Sequence, residues 1–135
     1  MEDTVFDSSA VLILLFDEPA ADKVEQLLTQ AEEKKKEIMI SSVNWAEVLV
    51  QAFRFYGEDG VRIARQLTRE TPLRVIEVNG DLAELAAHLK ITYKLPLADA
   101  FCAALAKKHH AALVTSDRDF ERVRNQIKII WLRAN

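Results

Sequence analysis

Four acidic residues stand where short apolar runs end. Asp7 closes "TVFD", Glu47 lies in "SSVNWAEV" just past "IMIS", Asp99 sits in "LPLADAF", and Asp117 follows "ALVTS". Carboxylates crowded within several ångströms repel one another, and some protonate unless a cation sits among them. A set made of carboxylate oxygens, with no His or Cys, suits hard Mg²⁺ or Mn²⁺. An ion held in this way can polarise a phosphoryl oxygen, activate water and neutralise a leaving group. The chemistry these residues could support is metal-assisted hydrolysis of a phosphate ester.

Each acid also has a structural reading. Asp7 can cap a helix or form an Asx turn. Asn44 to Glu47 has the spacing of a capping box, as has Ser116 to Asp119, which makes Asp119 an expected structural residue. Asp99 is an acid near a helix N-terminus, where the macrodipole favours it. Convergence, rather than any one residue, carries the functional reading.

The elements that would bring the acids together can be read from the apolar pattern. Strands are expected at 4–7, 38–41, 73–78, 112–116 and 127–132. Residues 9–16 are continuously apolar, and periodicity leaves them open between a buried strand and a short buried helix. A helix is expected from Pro19, with Val24, Leu27, Leu28 and Ala31 forming one stripe. Further helices are expected at 45–56, ended by Gly57, and at 58–70, ended by "TP". Another carries Leu82, Leu85, Ala86 and Leu89, and an alanine-rich one starts near Pro96. Alternating strands and helices predict an α/β fold with a mainly parallel sheet. In such a sheet ligands bind beyond the carboxyl ends of the strands, and a helix joining parallel strands begins at that same edge. All four acids therefore fall on one rim.

The bulk properties narrow the function classes. The 135 residues suit a single domain, 1–135, and half of them are hydrophobic. A net charge of −3 argues against holding nucleic acid on a basic surface. It leaves room for an enzyme that meets phosphates through bound cations. The single cysteine, Cys102, excludes an internal disulfide framework and a Cys-based zinc site. No apolar run approaches the roughly 20 residues of a membrane span. With the acidic start "MED", the expected setting is the cytoplasm.

On "VFDSSAVLILLFDEP", "ISSVNWAEVL", "LPLADAFCAALAKKHHAALVTSDRDF" and the closing "IKIIWL", the chain resembles a PIN domain. It is most similar to the small VapC-type ribonuclease toxins of toxin–antitoxin pairs. The resemblance spans nearly the whole chain, with the four segments in the family's order. It implies an α/β/α sandwich with a five-stranded, mainly parallel sheet. It implies Mg²⁺-dependent cleavage of single-stranded RNA, with Mn²⁺ as a substitute ion. Asp7, Glu47 and Asp99 match the family's three core acids, and Asp117 the fourth. On that basis Asp7 and Asp99 are direct metal ligands. Glu47 ligates or orients the attacking water, and Asp117 holds a second metal or a water. Thr115 and Ser116 are minor candidates for a metal-associated water or a phosphate. The implied partners are a VapB-like antitoxin, whose tail fills a groove near the active site, and a second copy of the chain.

Two other classes compete. In an aspartyl-phosphate phosphatase Asp7 would be the nucleophile, but the acid expected two positions later is Ser9. A receiver-like or adaptor module would bind metal without chemistry, but the third strand offers only Glu77 as a phosphate acceptor. No Gly-rich phosphate loop is present. Arg54, Arg118, Arg122 and Arg124 are candidate phosphate contacts. Of Phe53, Phe55 and Tyr56, packing is expected to take one or two and an interface the rest. His109 and His110 are expected in solvent at a helix end. Cys102, Trp45 and Trp131 are expected to pack.

Overall fold

The computed structural model describes residues 1–133. Five strands form one sheet: β1 (Thr4–Phe6), β2 (Ile38–Ser41), β3 (Leu73–Ile76), β4 (Ala112–Thr115) and β5 (Ile129–Trp131). Their order is β3-β2-β1-β4-β5, and every pairing is parallel. The helices are α1 (Ser8–Leu15), α2 (Ala21–Glu33), α3 (Ser42–Glu70), α4 (Gly80–Tyr93) and α5 (Leu97–Lys108). A 3₁₀ turn, Arg118–Val123, joins β4 to β5.

Alternation along the strands sorts the core into two layers. Phe6, Ile38, Ile40 and Val114 face α1, α2 and α3. Val5 and Leu113 face α4 and α5, whose buried residues include Leu89, Ala103 and Leu105. Both faces of the sheet are covered, which is why its strands read as continuous apolar runs. The arrangement is an α/β/α sandwich, as the sequence implies.

The apolar run 9–16, open in the sequence, is helix α1. Asp7 caps it, accepting a hydrogen bond from the Ala10 N–H. A strand there would have left that carboxylate without this donor. The third helix begins at Ser42 rather than Trp45, because Ser41 and not Asn44 is its cap. It bends at Gly57, whose φ of 62° is open to glycine at no steric cost. Two segments result, close to the two helices expected. At Gly60 any Cβ would collide with the Ala52 carbonyl oxygen, so the second segment can fold against the first only with glycine there.

Three edges differ from expectation. The strands β1, β3, β4 and β5 are shorter than the apolar runs that predict them. Phe53, Phe55 and Tyr56 are all exposed, so none is taken by the core; Phe55 and Tyr56 instead pack edgewise and tilted against Phe16. Ser116 is not a cap: Asp117 caps the 3₁₀ turn. Among the described residues, no helix is long and apolar enough to cross a membrane.

Candidate metal centre

The chain runs from β1 outward through β2 to β3 on one side, then returns to β4 and β5 on the other. The direction of winding therefore reverses between β1 and β4, and ligand sites of open parallel sheets lie at such a reversal. Phe6 and Val114 are register partners there, and the Asp7 N–H donates to the Val114 carbonyl at 3.2 Å. Asp7 and the segment Thr115–Asp117 thus emerge side by side.

Asp7 is almost fully buried and tightly held. Its Oδ1 accepts from the Ser9 hydroxyl at 2.6 Å and the Ala10 N–H at 3.0 Å. Its Oδ2 accepts from the Thr115 hydroxyl at 2.5 Å. A carboxylate has about four acceptor positions, so roughly one stays open to a ligand. Burial pushes the Asp7 carboxyl up to about 6, although these hydrogen bonds pull it down.

Asp99, Asp117 and Asp119 form the tightest acidic group. One carboxylate oxygen from each lies within 4.8 Å of the others. Asp99 comes from the first turn of α5, and Asp117 and Asp119 from the start of the 3₁₀ turn. Asp117 Oδ1 accepts from the Asp119 N–H at 2.9 Å, and the Asp117 N–H donates to the Thr115 hydroxyl at 2.9 Å. Burial first, then the charge of Asp117 and a side-chain hydrogen bond with it, then the charges of Asp7 and Asp119, push Asp99 up to about 8. Its Oδ2 is buried with no hydrogen-bond partner. A buried polar atom without a partner is costly, and a cation among three carboxylates would satisfy it. The donor set is all oxygen, so the residues present fit a hard divalent ion.

Glu47 lies apart from the trio. It is exposed on the first turns of α3, and its Oε1 accepts from the Asn44 amide at 3.4 Å. Cys102, one turn along α5 from Asp99, ties the groups together. Burial first, then the charges of Asp7, Asp99 and Glu47, push its thiol well up. Cys102 itself packs in the core among the buried residues of α5.

Several residues take places the sequence did not announce. Asp119, expected to be structural, contributes an oxygen to the trio while pairing with Arg122 at 3.6 Å. Thr115 is fully buried and its hydroxyl is occupied by Asp7 and the Asp117 N–H, so it positions acids rather than meeting phosphate. Ser9 binds Asp7 and accepts from the Ser116 N–H at 3.0 Å. A serine two positions after an Asp is too common to have signalled this. Arg122 also donates to the Lys94 carbonyl at 2.7 Å. His109 and His110 are exposed, as expected.

A family model described as PIN domain matches residues 4–126. No curated protein matches the chain. Among solved structures, the chain is similar to one in a toxin–antitoxin complex from Klebsiella pneumoniae. That match has 26% identity over 98% of this chain and 100% of the other, with a TM-score of 0.71. A chain of the DNA-bound VapBC from Salmonella typhimurium gives a TM-score of 0.80 at 16% identity, with 98% and 100% covered. VapC20 from Mycobacterium tuberculosis, described as a Sarcin-Ricin loop cleaving toxin, gives 0.71 at 21% identity, with 88% and 93% covered. At their lower identities the last two bear on the fold alone.

Proposed function

The chain belongs to the PIN domain family, and on that premise we propose that it is a Mg²⁺-dependent endoribonuclease cleaving single-stranded RNA. In this reading it is the toxin of a type II toxin–antitoxin pair and works in the cytoplasm. The observation that carries the enzymatic reading is the buried, unpartnered Oδ2 of Asp99 inside a cluster of carboxylates. The likeness to a chain of the Klebsiella pneumoniae toxin–antitoxin complex supports the biological role and a VapB-like antitoxin as partner.

A divalent cation, when bound, polarises the scissile phosphodiester and offsets charge on its leaving oxygen. The chain's own residues prepare for it. Asp7 and Asp99 are the proposed direct ligands, and Asp117, with Asp119 beside it, the holder of a second ion or a water. Ser9, Ala10 and Thr115 fix the Asp7 carboxylate through three hydrogen bonds, so it needs no reorganisation when a ligand arrives. Asp99, pushed up to about 8, holds a proton at neutral pH and releases it when a cation takes its place. Glu47 is exposed at the rim, where it can accept a proton from an attacking water or orient it. The exposed Phe53, Phe55 and Tyr56 form apolar surface that a second copy or the antitoxin would cover.

The competing nucleophile reading of Asp7 is disfavoured, since Ser9 stands where that chemistry needs an acid. The test is to incubate the protein with a labelled RNA pool, with Mg²⁺ or Mn²⁺ and with chelator, beside Asp99→Asn. Cleavage is expected only for the native chain with metal. Cleavage unchanged in chelator, or unchanged in the variant, sinks the metal-site reading. Metal binding with no cleavage of any RNA would favour a non-catalytic binding module.

A further inference from the structure

Asn44 is fully buried, and its side chain is bonded to three different parts of the fold. Its Oδ1 accepts from the Ser41 hydroxyl at 2.5 Å, at the junction of β2 and α3. Its Nδ2 donates to the Ala98 carbonyl of α5 at 3.1 Å, across 54 positions of sequence. The same nitrogen donates to Glu47 Oε1 at 3.4 Å. Both amide hydrogens are thus used, and both partners on that side are acceptors. Turning the amide over would set an oxygen against two oxygens, so only one orientation satisfies the site. Ser41 holds it in that orientation. Ala98 directly precedes Asp99, and its carbonyl has a second lone pair to offer beyond the helical hydrogen bond.

We propose that Asn44 is a positioning residue of the acidic rim, its amide clamping the N-terminal turn of α5 to α3 and so setting Asp99 and Glu47 relative to each other. The inference rests on the reading of these acids as a metal centre, but the clamp itself is a property of the metal-free chain. A capping role alone would need only the Ser41 hydroxyl and the Asn44 N–H, which are 3.1 Å apart. The side-chain amide adds nothing to that bond. Its two donors are spent on α5 and on Glu47.

Two variants test the clamp. Asn44→Ser carries a hydroxyl too short to reach Ala98. Asn44→Leu fills the same space with no donor. Asn79→Ala is the control. Asn79 caps α4, its Oδ1 accepting from the Leu82 N–H at 2.9 Å, so this change removes a helix cap that follows β3, two strands from β1 in the sheet. Hydrogen exchange of the α5 first turn, measured in chelator, is expected to speed up at least tenfold in both Asn44 variants and to stay unchanged in Asn79→Ala. Mn²⁺ affinity, measured by calorimetry, is expected to fall at least fivefold in the Asn44 variants and less than twofold in the control. Folded Asn44 variants whose α5 first turn exchanges at the native rate overturn the proposal. So does native-like Mn²⁺ affinity in both. A native chain that binds no Mn²⁺ while the exchange effect persists would instead overturn the metal-centre reading and leave the clamp standing.

Discussion

At the scale of the residue, the site is defined by carboxyls that the fold holds partly protonated. Asp7 and Asp99 are pushed up from 3.8 to about 6 and about 8, in each case first by burial. Between 3.8 and 8 the folded chain therefore binds more protons at these groups than the unfolded chain does. Their contribution to stability is complete below 3.8 and is lost as pH rises through that window. Asp99→Asn removes the larger part of this penalty. In chelator, the variant's Tm relative to the native chain is expected to rise steadily from pH 5 to pH 8, read by a thermal melt at each pH. Excess Mn²⁺ is expected to raise the native Tm more at pH 8 than at pH 5, because the ion needs the deprotonated acids. It should leave Asp99→Asn almost unmoved. A Tm difference independent of pH would show that Asp99 ionises as an ordinary surface acid.

At the scale of the element, the rim depends on where helices begin. α1, α3 and the 3₁₀ turn are each capped by a side chain, from Asp7, Ser41 and Asp117. Two of these caps are also candidate site residues, so a capping role for Asp7 and Asp117 does not compete with the proposed one. The bent helix α3 presents a different constraint. Its second segment lies against the first only because Gly60 has no Cβ to meet the Ala52 carbonyl. Gly60→Ala is expected to destabilise the chain by about 2 kcal/mol or more, the scale of overpacking, as measured by urea unfolding. It lies far from the acids in the chain and should leave Mn²⁺ affinity of the folded fraction unchanged. A native-like midpoint would mean that the two segments part without cost.

At the scale of the whole molecule, the proposed function asks an acidic protein to handle a polyanion. The net charge is −3, and among the described residues several cations are tied to acids, as in Lys36–Asp3, Arg74–Glu37 and Lys128–Glu2. Exposed pairs of this kind add little stability, but they lower the positive potential available to phosphate. Without divalent ions, single-stranded RNA is therefore expected to bind more weakly than about 100 µM, the loose end of non-specific binding. With Mn²⁺ the affinity should rise by at least tenfold in a fluorescence anisotropy titration with Asp99→Ala as the control. Tight binding in chelator would reveal a basic track that the charge pattern does not contain.

Much of this protein was legible in the chain itself. Parallel strands buried on both faces must be short and apolar, and helices between them must carry an apolar stripe. Those local rules located all five strands, the helices other than α1, and the acids at their ends. What they could not settle was anything set by neighbours distant in sequence. The run 9–16 is a helix because Asp7 caps it, but its periodicity is erased by burial on all sides. Asn44 looked like a cap for Glu47, yet its amide is spent on Ala98, 54 positions away. Asp119 is expected to be structural, and only the 3₁₀ turn shows its oxygen within 4.8 Å of those of Asp99 and Asp117. The sequence by itself determined which residue types line one edge of one sheet, since period and chain direction are local. Only the tertiary structure decided which oxygens are engaged and which, like Asp99 Oδ2, are left buried without a partner. Hydrogen-bond saturation and desolvation depend on every group packed around an atom, and no local stretch of sequence contains them.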